Sequence, residues 1–142
     1  MIYKGIWLFG LSGSGKTYLS KKISKQIKNK FIIDGDQIRS HISFDLGYNI
    51  EDRKIQNKRV LGLAKIVIKN GYYPIISSVY LDPSIVKSIN KNRIRIVKIE
   101  GPKFRINKKT KNKKNIVGVS IKQPKINCEV FKNSLNKTFN LF

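Results

Sequence analysis

Cysteine is nearly missing from this chain of 142 residues: Cys128 stands alone. No internal disulfide and no cysteine-rich zinc site can form, and a buried or idle thiol is its expected state. Long apolar runs are missing too. The longest, around Ile6-Trp7-Leu8-Phe9, is too short to cross a bilayer. The start of the chain, Met1-Ile2-Tyr3-Lys4-Gly5, enters that run without the h-region and cleavage site of a secretory leader. A cytoplasmic location with no membrane partner is therefore expected. No internal repeat, aromatic-rich RNA-binding signature or helix-turn-helix pattern is present. Acidic residues are scarce, 8 against 30 Lys and Arg, which leaves a net charge of +22. Two origins fit that excess. Lys, Asn and Ile share A/T-rich codons, so genome base composition can supply the lysines; alternatively the charge attracts anionic ligands. Specific nucleic-acid binding ranks below both.

What is present suits one compact domain over residues 1–142, since 40% of the chain is hydrophobic and a single core serves chains of about 100 to 200 residues. Short apolar runs alternate with amphipathic stretches, the pattern of a parallel sheet flanked by helices in a three-layer α/β/α fold. Ile6 to Phe9 reads as a buried strand. A helix is predicted from about Lys16 to Lys28, with Leu19, Ile23 and Ile27 on one face. Phe31-Ile32-Ile33 reads as a second buried strand ending at Asp34. Asp52 to Lys69 reads as a longer helix with Ile55, Arg59, Leu63 and Ile66 near one stripe, closed by Asn70-Gly71. Tyr73 to Val79 and Ile94 to Ile99 read as strands separated by a short helix from Pro83 to Asn90. Right-handed crossovers would stack these as a doubly wound sheet. Lys103 to Lys114 is dominated by Lys and Asn. It reads either as a solvated loop or as a basic lid over phosphates, spanning about 101–118. The tail from Ile116 would add an edge strand or pack across the sheet.

Gly10-Leu11-Ser12-Gly13-Ser14-Gly15-Lys16-Thr17 matches G-x-x-x-x-G-K-[ST] in full, between a predicted strand and a predicted helix. Such a loop turns backbone N–H groups toward an anion at a helix N-terminus. Lys16 would reach the β- and γ-phosphates of ATP, and Thr17 would offer its hydroxyl to Mg²⁺. A P-loop alone does not choose among kinase, GTPase and motor. Asp34-Gly35-Asp36 stands at the carboxyl end of the second strand, where open α/β sheets place ligands. Two carboxylates there could hold Mg²⁺ or accept a proton from an attacking hydroxyl. Taken alone, the same residues read first as a polar turn with a helix cap at Asp36.

The P-loop, Asp34-Gly35-Asp36-Gln37-Ile38-Arg39, Asp45-Leu46-Gly47-Tyr48, Glu51-Asp52-Arg53-Lys54 and Lys114-Asn115-Ile116-Val117-Gly118-Val119 together resemble the adenylylsulfate kinase family in order and spacing. That resemblance implies transfer of the γ-phosphoryl group of ATP to the 3′-hydroxyl of adenylyl sulfate, on a P-loop fold with Mg²⁺. By it, Asp36 is the base or hydroxyl-orienting residue, Asp34 supports the metal, and Arg39 and Arg53 clamp anionic groups of the acceptor. Tyr48 takes the place of an aromatic that stacks on the acceptor base. A homodimer is a further implication. There are departures. Gln56 stands where the family carries asparagine, Tyr80-Leu81-Asp82-Pro83 lacks the family's serine before proline, and Ile116 replaces a second stacking aromatic. Gly101-Pro102-Lys103 follows the fourth strand where the family inserts a helix, so the chain is a shortened version. An aliphatic at Ile116 would suit a smaller base, as in relatives that phosphorylate cytidine diphosphoramidate for capsule polysaccharide. A nucleotide- or nucleic-acid-binding module without turnover is the third reading.

Overall fold

The computed structural model describes residues 2–101, 115–118, 120–134 and 138–141. Most of the segment read as a basic lid, 102–114, lies outside them. The elements run β1 (Gly5–Phe9), α1 (Lys16–Ser24), β2 (Lys30–Asp34), α2 (Gly35–His41), α3 (Ile50–Lys69), β3 (Tyr73–Ser78), a 3₁₀ turn (Pro83–Ile85), α4 (Val86–Lys91), β4 (Ile94–Glu100) and β5 (Glu129–Lys132). All strand pairs are parallel, in the order β2-β3-β1-β4-β5. The expected doubly wound sheet is thus observed.

Alternation along β1 explains the layers, because successive side chains of a strand point to opposite faces. Ile6 and Leu8 join Leu19 and Ile23 of α1 on one face. Trp7 and Phe9 join Val60, Leu61, Ala64 and Val67 of α3 and Ile89 of α4 on the other. All four β1 side chains are 0–1% exposed, as befits a central strand covered on both sides. The Trp7 indole N–H donates to Ser78 Oγ at 2.8 Å, so the buried ring keeps its polar edge satisfied.

Four expectations change in detail. β2 is an edge strand, and Phe31 and Ile32 remain 44% and 40% exposed because among the described residues no strand lies beyond them. The buried stripe of α3 is Arg53, Gln56, Asn57, Val60, Leu61, Ala64 and Val67, whereas Ile55 and Ile66 on the expected stripe are 41% and 60% exposed. Polar side chains on the inner face of the first turns hid that stripe from a count of apolar residues. α1 ends at Ser24 with Lys25 as cap, because Gln26 and Ile27 donate to Ile23 and Ser24 in tighter turns. A short helix, α2, follows β2 directly. Asp34, not Asp36, caps it, accepting from the Asp36 N–H at 3.2 Å.

The tail does both things expected of it. β5 adds an edge to β4, and Phe139 and Leu141 return over the α1 face, with the Phe139 ring edge-on to Phe131 at 5.2 Å. At the end of α3, Asn70 is the cap and Gly71 follows at φ 81°.

Candidate functional site

Parallel strands bring all their carboxyl ends to one rim of the sheet, and the loops that leave that rim build the site. From β1 comes the P-loop. Gly15, at φ 97° and ψ 19°, is the cap of α1, a backbone shape a side chain would strain. Lys16 folds back and donates to the carbonyls of Gly10 at 2.6 Å and Leu11 at 3.0 Å. Burial lowers its pKa from 10.5 to about 8, against the pull of Asp36 and Asp34, which raise it. An ammonium held this way is poorly solvated and ready to exchange carbonyls for a more charged acceptor.

A cavity of about 380 Å³ opens over the loop, bounded by Gly13, Lys16, Thr17, Asp34, Asp36 and Ser77. Ser77, at the end of β3, is 7% exposed and its hydroxyl has no partner among the described residues. A second cavity of about 590 Å³ lies beside it, lined by Arg39, Tyr48, Arg53, Gln56, Ile116 and Val117 among others. The two share a wall: Ser12, Gly35, Asp36, Ser78 and Val79 face both.

The second cavity is cationic and aromatic. Arg39 Cζ sits 4.3 Å and Arg53 Cζ 5.6 Å from the centre of the Tyr48 ring. Among the described residues both guanidiniums donate to backbone carbonyls: Arg39 to Gly47 at 2.7 Å, Arg53 to Tyr48 at 2.8 Å and to Asn115 at 2.9 Å. Neither has a carboxylate partner among the described residues. Burial, and then the charge of Arg39, lower the pKa of Arg53. Two such cations, neither in an ion pair among the described residues, favour an anion in this cavity. Gln56, 5% exposed, donates to the Gly35 carbonyl at 3.3 Å, and its Oε1 has no partner among the described residues.

Sequence reasoning placed Asp36, Arg39, Tyr48, Arg53, Gln56 and Ile116 at one site, and the fold brings all six to the second cavity. It gave no site role to Val117, Asn57 or Tyr80, which line the same cavity. Asn57, 2% exposed, donates to the Tyr80 carbonyl at 3.0 Å and accepts from the Asp82 N–H at 2.7 Å, pinning the loop after β3. An amide one position from Gln56 on the Arg53–Val60 spacing was the available signal. Burial first, and then Asp82, push the Tyr80 phenol up to about 12.

A family model described as "Adenylylsulphate kinase" matches residues 4–100. The chain belongs to the adenylylsulphate kinase family. A probable adenylyl-sulfate kinase of Pyrococcus abyssi is 40% identical over 76 residues, 51% of this chain and 44% of that protein. The adenylyl-sulfate kinase of Pseudomonas aeruginosa is 36% identical over 78 residues, 52% of this chain and 40% of that protein. This family member thus matches less than half the length of either relative. Among solved structures, the APS kinase of Mycobacterium tuberculosis in complex with AMPPNP and APS superposes with a TM-score of 0.74 at 17% identity, covering 96% of this chain and 92% of that one. A sugar kinase of Janibacter superposes at 0.66 and 14% identity over 96% of this chain and 88% of that one. These likenesses establish the P-loop kinase fold.

Proposed function

We propose that this chain transfers the γ-phosphoryl group of ATP to the 3′-hydroxyl of adenylyl sulfate. The observation that carries the reading is the shared wall, where Asp36 faces both the P-loop cavity and the cationic cavity. A triphosphate in the first and a hydroxyl from the second would meet at that carboxylate, and such positioning supplies most of the catalysis in phosphoryl transfer. Lys16 leaves the Gly10 and Leu11 carbonyls for the β- and γ-oxygens. Asp36 orients the hydroxyl and takes its proton as the new P–O bond forms and the bond to the β-phosphate oxygen breaks. Arg39 and Arg53 turn toward the phosphate and sulfate of the acceptor, and Tyr48, 54% exposed, offers a ring to its base. Gln56 Oε1 accepts from an acceptor N–H or O–H.

Thr17 and Asp34 would hold Mg²⁺, which when bound neutralises charge on the phosphates. The donor set fits such an ion. The unpartnered Ser77 hydroxyl lies with Thr17 and Asp34 in one cavity. Among the described residues no group of three or more His, Cys, Asp or Glu gathers to hold a metal alone. That suits an ion shared with phosphates and keeping its own waters.

One observation favours a second acceptor, cytidine diphosphoramidate: Ile116 and Val117 give the cavity an aliphatic wall, and Tyr80, which also lines it, is 2% exposed. Turnover measured on both acceptors decides, and a preference for the cytidine compound sinks the first choice. Asp36→Asn should lower kcat by about 10²- to 10⁴-fold while the dissociation constant for ATP stays within about twofold. Undiminished kcat in that variant would remove Asp36 from the chemistry.

A further inference from the structure

The chain beyond residue 100, outside the stretch that matches the family, sends one side chain back to the P-loop. Asn133 follows β5 directly; its N–H continues the ladder to the Glu100 carbonyl at 2.7 Å, and its Nδ2 donates to the Ser14 carbonyl at 3.1 Å. Those partners are 119 positions apart in sequence. The P-loop is pressed at the same point by Gly101, where an added Cβ would lie 2.7 Å from Ser14 Cα. Ser14 itself is fully buried, and its own N–H is turned inward to the Leu11 carbonyl at 3.1 Å.

The peptide joining Ser14 to Gly15 is planar and trans, so its C=O and N–H point in opposite directions. A donor fixed on the Ser14 oxygen therefore fixes the direction of the Gly15 N–H. Gly15 borders the phosphate cavity and the oxygen faces away, toward β5. Gly15 has no side chain to hold that peptide and sits at positive φ; Gly101 packs against the Ser14 carbonyl without a donor of its own aimed at it, and Asn133 supplies the directional bond. We propose that Asn133 is a positioning residue of the nucleotide site: its carboxamide holds the Ser14–Gly15 peptide with the Gly15 N–H aimed at the phosphate. This inference rests on the kinase reading above. It gives the short C-terminal segment a task in ATP binding that its apolar residues do not have.

Asn133→Asp keeps the shape and removes the donor, setting a carboxylate against the Ser14 oxygen; Asn133→Ala removes the donor without adding charge and serves if the first variant does not fold. Binding of ADP and of acceptor is measured by calorimetry, and the Gly15 amide is followed by ¹H–¹⁵N spectroscopy as ADP is added. Loss of one neutral hydrogen bond predicts roughly three- to tenfold weaker ADP binding in Asn133→Ala and a larger loss in Asn133→Asp. Acceptor affinity should stay unchanged, and the ADP-induced shift of the Gly15 amide should shrink in both variants. ADP affinity equal to wild type, a full Gly15 shift, or equal weakening toward ADP and acceptor overturns the inference. A wild-type chain that binds no nucleotide overturns the kinase reading as well, which separates the two failures.

Discussion

At the scale of single residues, Lys16 controls how the free site responds to pH. Its pKa of about 8 in the folded chain lies below the ordinary 10.5. Between those values the unfolded chain therefore holds a proton that the folded chain lacks, and the Lys16 contribution to stability rises with pH across that window. Nucleotide binding runs the other way. Phosphate oxygens favour the ammonium, so above pH 8 ATP must bring a proton with it, and its affinity should fall by up to about tenfold per pH unit. Titration calorimetry from pH 7 to 9.5 in buffers of different ionisation enthalpy checks both the loss and the proton uptake; an affinity flat across that range contradicts the buried ammonium. Lys16→Ala should abolish turnover while leaving the circular dichroism spectrum and melting temperature near wild type, since among the described residues Lys16 bonds only to its own loop. Undiminished turnover would refute the P-loop assignment.

Among the elements, α3 contributes Arg53, Gln56, Asn57 and Val60 to the wall of the cationic cavity. Its inner stripe changes character along its length, polar at Arg53, Gln56 and Asn57 beside the cavity and apolar from Val60 to Val67 against the sheet. The start of the helix is secured by Asn49, whose Oδ1 accepts from the Asp52 N–H at 2.8 Å, and by Asp52, whose Oδ2 accepts from the Gly47 N–H at 2.7 Å. That second bond ties the cap to the loop bearing Tyr48. Asn49→Ala should cost about 1 kcal/mol in urea unfolding and raise the KM for acceptor more than that for ATP. A variant that loses stability with both KM values unchanged would separate the cap from the site. In the sheet, Trp7→Ala should cost roughly 3 to 5 kcal/mol, because a side chain 0% exposed leaves a cavity between β1 and α3 and strips Ser78 of its donor. Urea titration reads the change; a loss below 1 kcal/mol would mean that the core closes over the gap.

For the whole molecule, charge is the dominant strain. Against a net +22, the described residues contain four ion pairs: Lys54–Glu51, Arg59–Asp45, Arg95–Glu129 and Lys98–Glu100. Most cations therefore repel one another across solvent, and salt screens that repulsion. The melting temperature should rise by several degrees between about 20 and 300 mM salt, where the Debye length shortens from about 20 to about 6 Å; scanning calorimetry that finds no rise would show that the repulsion is already neutralised. Much of this architecture was legible in the linear chain. The P-loop is eight consecutive residues acting through their own backbone, and strand and helix periods follow from local geometry, so both could be read without knowing what lies nearby. Neighbours were not legible. Only the strand order made β2 an edge and left Phe31 and Ile32 exposed. Only packing turned Arg53, Gln56 and Asn57 inward, and only closure of the sheet brought Asn133 against Ser14. Local conformation is written in contiguous residues. Which polar groups end up unpartnered, and so free to meet a ligand, depends on distant parts of the chain that arrive only when the core assembles.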